Sequence, residues 1–94
     1  MKFRFAGFEW SEEKNLWLKL ERGVSFEEVL KAIQKGDVLD IRRHPNQEKY
    51  PGQYLIVVKI KDYAWVVPCK LEGDKIKLIT AYPSRKFTKT FLRQ

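Results

Sequence analysis

GVSFEEVLKAIQKGDVLDIRR, residues 23–43, changes its apolar period halfway along, and that change decides the fold. Ser25 and Glu28 make the S-x-x-E capping box, in which the serine side chain and the glutamate each satisfy an orphan N–H of the first turn. Phe26, Val29, Leu30 and Ile33 then recur at i, i+3, i+4 and i+7, one stripe of a helix, and Gly36 supplies the stop. From Val38 onward the pattern turns to alternating and β-branched, the signature of strands. The chain therefore passes from helices to sheet at about this point.

Upstream, FEWSEEKNLWLKLERG (8–23) predicts another helix, with Ser11 as N-cap and Glu12 and Glu13 where the helix dipole favours negative charge. Leu16 and Leu20 share a face flanked by Trp17, and Gly23 ends the helix. Trp10, Trp17 and Trp65 are assigned to the core. Downstream, strands are expected at 38–43, 54–61, 63–71 and 75–82; the short links KD and EGD make the last three an antiparallel meander. Pro68 has no N–H to give to a ladder and predicts a bulge or an open edge. HPNQEKYPGQ (44–53) reads as an ordered loop. The tail, YPSRKFTKTFLRQ (82–94), makes a helix from Ser84 with Lys86, Lys89 and Arg93 on one face and Phe87 with Phe91 on another, so it docks and still presents cations. The expected class is α+β: one domain over 1–94, two N-terminal helices packed on a mainly antiparallel four-stranded sheet, and a short basic C-terminal helix.

Charge narrows the function. The net charge is +7, and residues 51–94 carry nine Lys/Arg against three Asp/Glu, whereas residues 1–50 carry ten against nine. That asymmetry points the C-terminal half toward a polyanion. The single Cys69 excludes an intramolecular disulfide and a cysteine metal cluster and fits a reducing cytoplasm. No apolar run approaches the ~20 residues of a membrane span, and MKFRFAGFEW lacks a signal-peptide pattern. No metal or other cofactor is expected.

The stretches FEW-S-EEKN (8–15), RGVSFEEV (22–29) and IT-AYPSRKFTK (79–89) resemble the BrnT-like toxins of bacterial type II toxin–antitoxin systems. The family's pattern has an F-x-W opening, a G-V-S-F-E-E second helix and a basic helix start after a strand. Asn15 and the HPNQEKYPGQ loop depart from that pattern. The resemblance implies a RelE-like fold, metal-independent cleavage of RNA through its 2′-hydroxyl, a cognate antitoxin, higher-order toxin–antitoxin assembly and a cytoplasmic location. The alternative is a non-catalytic nucleic-acid- or protein-binding module on the same fold.

Such cleavage needs a group to take the 2′-proton and cations to hold the charge of the phosphorane. With one histidine, an acid–base histidine pair is excluded. Arg85 is the first catalytic candidate, placed at a helix start where N–H groups and the dipole favour phosphate; its plain alternative is an exposed first-turn arginine. Lys86 shares that logic as a charge stabiliser. His44, beside Arg42 and Arg43, is the acid–base candidate, with a turn-bonding loop histidine as the alternative. RNA contacts are expected from Arg42, Arg43, Lys49, Tyr50, Tyr82, Lys89 and Arg93.

Overall fold

The computed structural model describes residues 7–93. Its elements run β1 (Gly7–Glu9), α1 (Glu12–Arg22), α2 (Phe26–Gln34), β2 (Val38–Arg43), β3 (Gln53–Ile60), β4 (Tyr63–Glu72), β5 (Lys75–Leu78), β6 (Tyr82–Pro83) and α3 (Arg85–Leu92). Ser11 caps α1 through the Lys14 N–H, and Ser25 and Glu28 close the full capping box of α2. Gly23 ends α1 at φ 71°, a left-handed turn that glycine adopts without a Cβ clash.

α1 is fastened to α2 by a buried amide. Asn15 Oδ1 accepts the Phe26 N–H at 2.8 Å, and its Nδ2 donates to Glu27 Oε1 at 2.8 Å. This pairing turns Asn15 and Leu18 inward, and so turns Leu16 and Leu20 outward. Trp10 and Trp65 pack half-buried against the core as expected, but Trp17 lies on the outer side of α1. Its ring takes Lys14 Nζ at 3.9 Å and the Arg22 guanidinium at 4.8 Å.

The α+β class stands, but the expected four-stranded, mainly antiparallel sheet under two helices is corrected. The described residues form three helices and one six-stranded mixed sheet, in the order β1-β5-β4-β3-β2 with β6 also on β4. β1 pairs β5 in parallel, Phe8 opposite Ile76; the other pairs are antiparallel. The two added strands have separate physical origins. β1 is three residues long, too short for a period-2 signal, and it covers the edge that β5 would otherwise leave open.

β6 follows from Pro68. The β3–β4 ladder runs through this proline in register, Leu55 opposite Pro68, with no bulge. On the other side of β4 the Ile79 N–H donates to the Pro68 carbonyl at 2.9 Å, and the reciprocal bond needs an N–H that proline lacks. The ladder stops there. The expected strand 75–82 divides into β5 and a short β6 that rejoins β4 at Val66 and Trp65. In the gap Ala81 is buried, and its carbonyl accepts from Arg22 Nη1 at the end of α1. Among the described residues the register shift falls instead on the edge strand, between Val38 and Asp40.

Strand alternation splits the core into two layers. Ile56, Val58, Val67, Cys69, Ile76 and Leu78 face Leu18, Phe26, Val29 and Ala32 of α1 and α2. Leu55, Val57, Ala64 and Val66 face the other way, against Phe87 and Leu92 of α3. The helix pair and α3 thus lie on opposite faces of one sheet.

The β3–β4 hairpin turns through Lys61 and Asp62 at φ 53° and 59°, both left-handed and neither a glycine. Two-residue hairpins of this kind favour Asn-Gly or Asp-Gly, because each non-glycine residue there carries a steric penalty. We expect Asp62→Gly to raise stability by up to ~1 kcal/mol, read as a higher thermal midpoint. A midpoint at or below the parent's would show that Asp62 is not strained.

Candidate nucleic-acid interface

α3 is held on the sheet at its first turn. Ser84 caps it by accepting the Phe87 N–H, and its own N–H donates to the Ala64 carbonyl at 2.9 Å. Thr88, fully buried, accepts the Ala64 N–H at 2.9 Å and donates to the Ser84 carbonyl at 2.7 Å. Phe87 and Leu92 pack on the sheet, and Phe91, half-buried, stacks on Phe87 at 5.9 Å. The opposite side of the helix is left to solvent.

On that side Arg85, Lys89 and Arg93 follow one another at i, i+4 and i+8, all exposed. With Tyr63 and Thr88 they line a shallow cleft of about 320 Å³. None of the three has a carboxylate partner among the described residues, where the ion pairs are Lys35–Asp37 and Arg42–Asp40. Lys86 is turned toward the Phe87 ring, 5.9 Å from its Nζ, and does not line the cleft. Arg42 lies against the same ring at 4.8 Å, on the α3 face, but its guanidinium is engaged by Asp40. Tyr82, on β6 and just over a third exposed, has its phenol pushed up by desolvation.

The remaining expected residues form a different group. His44 closes the ladder through its N–H to the Gln53 carbonyl, its Nδ1 accepts the Asn46 N–H at 3.1 Å, and its ring lies 4.5 Å from Tyr50. Lys49 reaches over Tyr50 at 5.3 Å, and Arg43 donates to Gln47, which itself bonds the His44 and Gln53 carbonyls. This loop sits at the far end of the sheet. α3 starts beside Ala64, which pairs with Lys59, whereas His44 stands beside Gln53, six residues along β3. At ~3.3 Å per strand residue that is roughly 20 Å, too far for His44 and Arg85 to act on one phosphate.

Sequence reading missed two cations on the α3 face. Lys70 and Lys77 stand directly opposite one another on β4 and β5, a like-charge pair that weakens a sheet, with no ion pair to either among the described residues. The EGD turn carries the signal: once Glu72 is paired with Lys75, Lys70 must meet Lys77. Gln53 extends the same row on β3. Elsewhere Cys69 is buried with its thiol pushed up to about 12 by desolvation, inert as a nucleophile. Among the described residues no group of three His, Cys, Asp or Glu side chains is placed to hold a metal, and no helix is long and apolar enough to cross a membrane.

Comparison with protein-family models matches residues 19–83 to the family described as "Domain of unknown function (DUF4258)". Comparison with curated proteins gives no match, and comparison with solved structures gives none either. The BrnT-like resemblance therefore has no counterpart in these results. The matched segment contains Tyr63, Lys70 and Lys77 and ends before α3, so the Arg85–Lys89–Arg93 stripe lies outside it.

Proposed function

The chain belongs to the DUF4258 family, and we propose that this member binds single-stranded RNA along the α3 face of its sheet. The observation that carries the reading is the stripe of Arg85, Lys89 and Arg93 in one cleft beside Tyr63, unpaired with any carboxylate among the described residues. Three cations at one-turn spacing follow a phosphate backbone, and an aromatic wall gives a splayed base something to stack on. Lys70 and Lys77 continue the positive surface along β4 and β5. Such a domain would act in the cytoplasm, where its ligand is.

A second reading, an RNA-cleaving toxin neutralised by an antitoxin over the same face, is favoured by one observation. Arg85 opens α3 next to Tyr63, so a charge-stabilising guanidinium and a proton-exchanging hydroxyl line the same cleft. His44 has no part in that arrangement.

Titration of a labelled single-stranded RNA across salt concentrations tests the first reading. With five phosphate contacts, from the α3 stripe and the lysine pair, log K should fall against log salt with a slope of about 3–4. No measurable binding at ~20–50 mM salt would sink the proposal. Analysis of the same RNA after incubation with sub-stoichiometric protein separates the two readings: intact RNA supports a binder, multiple turnover a nuclease.

A further inference from the structure

Three of the five large apolar side chains exposed among the described residues belong to two turns of α1: Leu16 at 57%, Leu20 at 74% and Trp17 at 39%. Leu16 and Leu20 sit symmetrically about the inward-facing Leu18, and the Trp17 ring is held by Lys14 and Arg22. An aromatic ring already held in this way loses little freedom on contact. The charge around the patch is balanced. α1 carries Glu12, Glu13 and Glu21 against Lys14, Lys19 and Arg22, on a chain whose net charge is +7.

That neutrality discriminates between occupants. A nucleic acid or an anionic membrane gains nothing from it, and an acidic protein would be drawn to the α3 face instead. A second copy of this chain is repelled at every strongly basic surface and can approach here. The order of charges also suits a copy running the other way. The first turn of α1 is acidic and the last is basic, so in an antiparallel pair the acidic end of each helix lies opposite the basic end of the other, with Leu16 opposite Leu20. A two-fold axis produces that arrangement from one surface.

We propose that the outer face of α1 is a self-association surface, on which two copies pack α1 against α1, antiparallel, through Leu16, Trp17 and Leu20. α1 and α3 lie on opposite faces of the sheet, so the dimer turns its two basic faces outward, in opposite directions. The patch is small beside the ~800 Å² per partner of a standard stable interface, so the dimer exchanges with monomer in the micromolar range or above.

The test is sedimentation velocity of the full chain from ~1 µM to ~1 mM, a range matched to weak association. A sedimentation coefficient that rises with concentration is expected, and Leu20→Glu, at an exposed position, should stay monomeric with the parental thermal midpoint. Orientation is read by mixing Leu16→Cys and Leu20→Cys chains under mild oxidation; native Cys69 is buried and does not interfere. The mixed disulfide should form ahead of either homodisulfide. A parent that is monomeric at the top concentration, a Leu20→Glu chain that dimerises like the parent, or homodisulfides that form first would each overturn the proposal.

Discussion

A chain in which Arg85, Lys89 and Arg93 are all glutamine should bind single-stranded RNA roughly 10²–10³-fold more weakly at ~50 mM salt. The magnitude follows from counterion release. Each phosphate neutralised contributes about 0.7 to the salt slope of a single strand, so three lost contacts remove about 2 units. Extrapolated from molar to ~50 mM salt, those 2 units become the stated loss. All three side chains are exposed, and the helix is held by Ser84, Thr88, Phe87 and Leu92, so the thermal midpoint should not move. A double Lys70→Gln, Lys77→Gln chain should lose about 1.4 units of slope, and its stability should hold or rise as the like-charge pair is relieved. If the triple variant kept the parental slope, the cations of α3 would be solvent-facing charges and nothing more.

Asn15→Ala is the substitution expected to harm the fold most for its size. It leaves the Phe26 N–H, buried at the start of α2, without an acceptor, and it removes a hydrogen bond to the Glu27 carboxylate. The orphaned buried donor costs about 1–3 kcal/mol, and the bond to Glu27, whose carboxylate is exposed and screened by solvent, adds little to it. The same contact gives the fold an acid dependence. Glu27 is held below the ordinary carboxylate range, first by the Asn15 amide and then by its own backbone N–H. Its contribution is therefore fully present above the unfolded-state value and is lost as pH falls through the lower folded-state value. Chemical denaturation at neutral and acid pH checks both points: the parent should lose stability over that acid interval, and Asn15→Ala should lose less. Parental stability in Asn15→Ala would mean that α1 and α2 are held by Leu18 and Phe26 alone.

Local chemistry was legible in the sequence, and non-local chemistry was not. Both capped helices, the 38–43 strand and the meander were readable because their signals lie within a turn or a hairpin. The inward side of α1 was not: Leu16 and Leu20 outweigh Leu18 on a helical wheel, and only a hydrogen bond to residue 26 reverses the choice. Pro68 was rightly seen as unable to donate, but which neighbour would feel the loss depends on the strand beyond it. For the site, the basic tail could be read directly, whereas Lys70 and Lys77 required a cross-strand register. His44 drew attention by its chemistry, and its distance from Arg85 is a property of the sheet alone.

The manner in which α3 is held has a consequence for motion. The last dozen described residues meet the sheet mainly along β4, through β6 at Trp65 and Val66, the Ser84 and Thr88 bonds to Ala64, and the apolar layer beneath Phe87. None of the β1–β5 ladders passes through them. Opening of this segment therefore requires no strand of the main ladder to separate, and it is the natural unit of sub-global unfolding. In the opened state the Ala64 N–H is released to exchange with solvent, Leu55 and Val57 are uncovered, and the Arg85–Lys89–Arg93 stripe loses its fixed spacing in the same event. The proposed grip on a polyanion and the protection of one amide in the middle of the fold would thus be two readouts of a single equilibrium.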